Sequence, residues 1–168
     1  MTVLYLVTQH PHAHDYLVDY LYDGLVRVLG LGNVIDWPVK PNLHLNSPSD
    51  RDDCDYDSDQ SWPTHGLTFE DVRAIQFDLV VLSMQGGDAS VTDAYQLCRN
   101  LPAWVPVVGV DGADNRDHSR AYYEEIAGRR LAAYCKRELP LGETWATPLP
   151  LCYPQSRCPD IATQEKQV

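Results

Sequence analysis

Three short apolar runs, each followed directly by polar residues, constrain the fold of this chain more than any other feature. The runs cover residues 3–7, 77–82 and 105–110. The polar residues after them begin at Thr8, Ser83 and Asp111. Short β-branched runs separated by helical patterns are typical of a parallel sheet that is covered on both faces. Ligands of such sheets bind beyond the carboxyl ends of the strands, so the pattern also predicts where a site would lie.

The order of these patterns predicts five strands that alternate with four helices. The predicted strands are 3–8, 33–37, 77–83, 105–110 and 130–136. The predicted helices are 15–29, 68–73, 90–100 and 120–128. Right-handed crossovers turn this order into an open, doubly wound parallel five-stranded sheet of Rossmann-like α/β type. We expect the strand order 3-2-1-4-5, with 2-1-3-4-5 as the alternative, and residues 3–8 inside the sheet.

Length and charge exclude several classes of protein. A chain of 168 residues that is 44% hydrophobic can form one core, so we expect one domain over 1–153 and a tail or linker over 154–168. The net charge of -11 argues against nucleic-acid partners, and no apolar run reaches the roughly 20 residues that a membrane span needs. The five cysteines form no CxxC pair, which favours a cytoplasmic location.

The turn after the first predicted strand is rich in histidine. It contains Gln9, His10 and His12, and a further histidine lies at position 14. A histidine beside a helix N-terminus can act as a general base near neutral pH. Three histidines could also hold zinc, but Pro11 limits how they converge, so we expect no metal. The turn contains no glycine and is neither a dinucleotide fingerprint nor a P-loop, so we expect no cofactor.

The ends of the later strands supply the other candidate residues. They are Gln85, Gly86, Gly87, Asp111, Asp114, Lys136 and Arg137. Because these positions follow carboxyl ends on one rim, we expect His10, Gln85 and Asp111 to converge on one crevice. Lys136 and Arg137 are adjacent on a strand and point to opposite faces, so one of them is expected to pair with Asp111.

Six blocks of sequence, taken in order, resemble a known family. The blocks are 15–25, 34–38, 65–69, 77–81, 110–114 and 134–139. Together they resemble the N-terminal half of bacterial glycosyltransferase-like proteins of the two-domain GT-B type, in the spore-maturation glycosyltransferase-like branch. The family has a second Rossmann-like domain that holds the sugar nucleotide, and this chain resembles only the first. Cys135 stands where the family usually has phenylalanine.

The resemblance implies an acceptor-side domain that binds a sugar or another hydroxyl-bearing small molecule and is inactive alone. His10, His12 or Asp111 would then activate an acceptor hydroxyl, and Lys136 or Arg137 would meet negative charge. The remaining candidates, expected to contact substrate, are Gln9, Gln85, Gly86, Gly87 and Asp114. The expected partner is a second Rossmann-like domain or another copy of the chain. Two alternatives stay open: a non-catalytic module that binds a small molecule or protein, and a metal-dependent hydrolase that uses the turn 10–14.

Overall fold

A computed structural model describes residues 1–8, 16–40, 43, 66–84, 92–112, 119–137, 139 and 144–148. The strands are β1 (Val3–Val7), β2 (Val34–Trp37), β3 (Leu79–Met84), β4 (Val107–Asp111), β5 (Ala133–Lys136) and β6 (Thr147–Pro148). The helices are α1 (Tyr16–Leu29), α2 (Phe69–Ala74), α3 (Thr92–Asn100) and α4 (Arg120–Ala127), with a short 3-10 turn at Leu31–Asn33. Within these residues, no helix is both long enough and apolar enough to cross a membrane.

The strands form one parallel sheet in the order β2-β1-β3-β4-β5-β6. The predicted α/β class of Rossmann-like type is confirmed, and β1 lies inside the sheet. The expected order 3-2-1-4-5 is wrong, whereas the alternative 2-1-3-4-5 describes the first five strands. Both orders satisfy right-handed crossovers, so local pattern alone does not separate them. The two-residue β6 was not predicted, because two residues ending in proline carry no alternating pattern.

The two faces of the sheet belong to two apolar clusters. In β1, Val3, Tyr5 and Val7 face α1, whereas Leu4 and Leu6 face the opposite cluster. That opposite cluster contains core residues of α2, α3 and α4. All five β1 residues are at most 1% exposed. A strand buried on both faces reads as a continuous apolar run, which explains why β1 was recognisable from sequence.

Two helix ends follow local chemistry. The Thr68 hydroxyl accepts a hydrogen bond from the Asp71 backbone N–H, and the Asp71 carboxylate accepts one from the Thr68 backbone N–H. This is a reciprocal capping box, which a threonine at the N-cap and an acid at the third helical position form, and it lowers the pKa of Asp71 through the hydrogen bonds from Thr68. Gly30 ends α1 with a φ of 89°, a conformation that favours glycine.

We predict that Gly109→Ala destabilises the protein by about 1 to 3 kcal/mol, because it overpacks the core. A Cβ at this β4 position would lie 2.5 Å from Met84 Cε and 2.8 Å from Leu131 Cδ1, and both side chains are buried. The matched control is Gly32→Ala, where a Cβ meets nothing within 4 Å. Urea unfolding of both variants measures the difference. Equal stabilities would contradict this account of β4 packing.

Candidate functional site

Buried polar side chains lie at the carboxyl ends of four neighbouring strands. Thr8 follows β1, Ser83 lies in β3, Asp111 ends β4 and Lys136 ends β5. Each of the four is at most 4% exposed. The Thr8 hydroxyl donates a 2.7 Å hydrogen bond to the Ser83 carbonyl and so links the ends of β1 and β3. Buried polar side chains therefore line the rim formed by the carboxyl ends of β1, β3, β4 and β5, where the sequence predicted a site.

Asp111 and Lys136 form a buried ion pair in this rim. Lys136 Nζ lies 2.7 Å from Asp111 Oδ2, and both side chains are 0% exposed. The register sets them side by side, because Asp111 on β4 pairs with Lys136 on β5. The expectation that a basic residue of this segment pairs with Asp111 is therefore confirmed for Lys136. The Arg137 backbone N–H instead donates to the Asp111 carbonyl.

Two tyrosines complete the shell around the Asp111 carboxylate. The Tyr134 hydroxyl donates a 2.6 Å hydrogen bond to Asp111 Oδ2, and the Tyr123 side chain also hydrogen-bonds to Asp111. Burial raises the pKa of both phenols far above its ordinary value, and the neighbouring Asp111 carboxylate raises it further. Both hydroxyls therefore keep their protons at physiological pH and remain donors. Sequence reasoning missed both tyrosines.

This environment determines what Asp111 can do chemically. A general base must reach the proton that it removes, at about 2.6 to 3.2 Å between heavy atoms. The Asp111 carboxylate has no exposed surface and is engaged by Lys136, Tyr134 and Tyr123. The geometry fits a residue that fixes the ends of β4, β5 and α4 better than one that contacts a ligand. Its catalytic assignment stays a prediction.

The start of α1 packs close to the same rim. Gly112, directly after β4, donates its backbone N–H to the Met84 carbonyl. A Cβ at Gly112 would lie 2.5 Å from Leu17 Cδ2 on the first turns of α1. A glycine here lets the helix approach the chain that leaves β4.

A second buried ion pair lies beside β2, and the sequence did not single it out. Lys40 Nζ lies 2.7 Å from Asp19 Oδ1, with side chains 0% and 4% exposed. The Lys40 backbone N–H donates a 3.0 Å hydrogen bond to Asp36 Oδ2. The detectable signal was Asp36 itself, a charged residue within the apolar run 34–37. A charge in a buried strand requires a partner, but nothing local identifies which one.

Seven candidate residues lie outside the described residues. They are Gln9, His10, His12, Gln85, Gly86, Gly87 and Asp114. The predicted convergence of His10 and Gln85 with Asp111 therefore stays a prediction, as does the hydrolase alternative based on the turn 10–14. Within the part of the chain that the structure describes, no group of three or more His, Cys, Asp or Glu side chains is arranged to hold a metal ion.

Comparison with known proteins identifies no relative of this chain. No family model matches it, and neither does any curated protein or solved structure. The glycosyltransferase resemblance therefore depends on the sequence patterns alone.

We predict that Lys136→Met destabilises the protein by about 3 to 5 kcal/mol near neutral pH, because it leaves a buried carboxylate without its cation. Adding Asp111→Asn to the Lys136→Met variant removes the unpaired negative charge and retains an acceptor for the Tyr134 hydroxyl. The double variant is therefore expected to lose less stability than the sum of the two single variants, by about 1 to 3 kcal/mol. Urea unfolding of the parent protein, the two single variants and the double variant gives the coupling energy of a double-mutant cycle. Strict additivity would mean that the pair contributes no coupling.

We also predict that stability falls as the pH rises above about 9. Burial raises the pKa of the Cys98 thiol from 9.0 to about 11 and that of Tyr95 from 10.0 to about 12, the latter despite a hydrogen bond to Thr8. The unfolded chain loses these protons first, so the folded state binds more protons and its stability declines between about pH 9 and 12. Urea midpoints across this range measure the decline. Tyr95→Phe should reduce its slope above about pH 10, and an unchanged slope would contradict the assignment.

Proposed function

We propose that this chain is a small-molecule-binding Rossmann-like domain whose ligand carries hydroxyl groups, as a sugar does. On the sequence resemblance, it is the acceptor-side domain of a glycosyltransferase-like protein and does not turn over substrate alone. The ligand would lie beyond the carboxyl ends of β1, β3 and β4. Of the sequence candidates in this region, His10 and Gln85 would contact the ligand, and Asp111 would lie beneath it.

One observation carries this proposal. The strand order reverses direction between β1 and β3, because the chain moves from β1 outward to β2 and then returns to the other side of β1. Open α/β sheets bind ligands at such a switch point. Thr8 and Ser83 flank it, and their hydrogen bond joins the two strand ends. Polar groups at the switch point support a ligand that offers hydroxyl partners.

The Asp111–Lys136 pair supports a binding domain more strongly than a complete enzyme. Both side chains are fully buried and engage each other at 2.7 Å. We infer that they are positioning residues, which hold the ends of β4 and β5 beneath the ligand. A group that contacts substrate would then come from the turn after β1, where His10 and His12 stand in the sequence.

The second candidate function is a non-catalytic module that binds a small molecule or protein and is unrelated to glycosyl transfer. The Asp111–Lys136 ion pair favours this function, because these two charged rim side chains neutralise each other and do not face a substrate. The two functions differ in their ligands. An acceptor-side domain recognises sugars and needs a second domain for the nucleotide, whereas an unrelated module has no preference for sugars.

We predict that the purified chain transfers no sugar and binds nucleotide-sugars more weakly than the low micromolar range. Free monosaccharides are expected to perturb its NMR spectrum at residues beside the rim. A transferase of this type works between two domains and depends on positioning both substrates. Titration calorimetry with a panel of nucleotide-sugars tests the first statement. A dissociation constant of about 1 μM, roughly -8 kcal/mol, would mean that the donor site is complete in this chain.

Matched threonine variants test the location of the ligand. Thr8→Val removes the hydroxyl at the carboxyl end of β1, whereas Thr2→Val makes the same change near its amino end. The first should weaken the monosaccharide response and the second should leave it unchanged. If both variants respond like the parent protein, the ligand does not bind at this rim. If no sugar perturbs the spectrum, the unrelated module replaces the acceptor-side domain.

A further inference from the structure

Ser83 lies near the carboxyl end of β3, beside the switch point between β1 and β3. Val81 packs in the apolar cluster on the α1 face, so Ser83, two residues further along the strand, points to the same face. Its neighbours in register are Val7 on β1 and Val110 on β4, and both belong to that cluster. The Ser83 side chain therefore stands between two apolar side chains at the rim.

The hydroxyl of Ser83 is buried and, among the residues that the structure describes, has no hydrogen-bond partner. Ser83 is 2% exposed, which leaves the hydroxyl a narrow contact with the rim. The Thr8 hydroxyl, by contrast, is hydrogen-bonded both to the Ser83 backbone carbonyl and to Tyr95. A buried hydroxyl without a partner costs free energy that an alanine in its place would not. The fold alone therefore does not account for this serine.

The surroundings of this hydroxyl select the chemistry of its partner. The Asp111–Lys136 pair lies on the opposite face of the sheet, where Asp111 bonds to Tyr134 of the other apolar cluster. The in-register neighbours of Ser83 are uncharged valines. A phosphate or carboxylate placed against them would lose hydration without meeting an opposite charge. A ligand hydroxyl is neutral, and it can both donate to a serine hydroxyl and accept from it.

We propose that Ser83 is a specificity-determining residue of the rim, whose hydroxyl forms a hydrogen bond with a hydroxyl of a neutral, sugar-like ligand. The inference rests on the proposed function, because it takes the ligand site to lie at the switch point. It adds that the ligand contacts the sheet itself through Ser83, on the α1 face, and that an uncharged sugar binds better than a sugar phosphate. One neutral hydrogen bond of this kind changes affinity by about twofold to tenfold.

Two serine-to-alanine variants of the full chain separate a ligand contact from a structural role. NMR titration with glucose, galactose and ribose measures binding, and urea unfolding measures stability. Ser83→Ala should bind the sugars about fivefold more weakly than the parent and unfold at no lower urea concentration, because it removes no internal hydrogen bond. The matched control is Ser119→Ala, since the Ser119 hydroxyl accepts the Tyr122 backbone N–H at the N-cap of α4. This control should unfold at a lower urea concentration and bind like the parent.

Two further measurements test the hydrogen bond and the preference for a neutral ligand. Ser83→Cys keeps the side chain close to its size but offers a weaker hydrogen-bonding thiol, so it should also weaken sugar binding. Glucose 1-phosphate should bind the parent protein more weakly than glucose.

The outcomes distinguish this inference from the proposed function. If the parent binds sugars and Ser83→Ala binds them equally well, or unfolds at a lower urea concentration, the role of Ser83 is wrong and the proposed function stands. Tighter binding of glucose 1-phosphate than of glucose would overturn the neutral ligand. A parent protein that responds to none of the sugars refutes the proposed function, and this inference with it.

Discussion

The buried ion pair between Asp111 and Lys136 is the constraint on which the rest of the rim depends. Two charges lose their hydration there, and the loss is offset only while the partners and their hydrogen-bond donors hold exact positions. Those positions belong to β4 and β5, and Tyr123 adds α4 through the same carboxylate. The pair thus couples the strand register, the placement of a helix and the polarity of the rim at the carboxyl ends of the strands. Its contribution is geometric precision more than net stability.

The parts of this fold that follow local rules were predictable from sequence. The capping box of Thr68 and Asp71 lies within four residues, and the apolar run of β1 identifies a strand buried on both faces. The pairing of Lys136 with Asp111 needed only the assumption that two consecutive strands lie side by side in register. Each of these features depends only on residues that are close along the chain or on one neighbouring strand.

The parts that sequence reasoning missed depend on contacts between distant segments. Asp19 and Lys40 are 21 residues apart, and they meet only because α1 packs against the segment that leaves β2. The strand order has the same origin, since the side on which β3 joins β1 depends on the whole crossover and not on any local pattern. Tyr134 and Tyr123 were not singled out from the sequence, because the hydrogen-bond partner of a phenol hydroxyl depends on strands and a helix that are distant along the chain.

The pair of Asp19 and Lys40 has a consequence for how such a chain can change over generations. Losing either residue alone leaves a buried charge with its counter-charge gone, and such a protein folds poorly. A lineage can therefore exchange the two only together, or after some other substitution has opened the site to water. On this physical ground, we expect the two positions to change together, and the packing of α1 against the end of β2 to persist as long as they do.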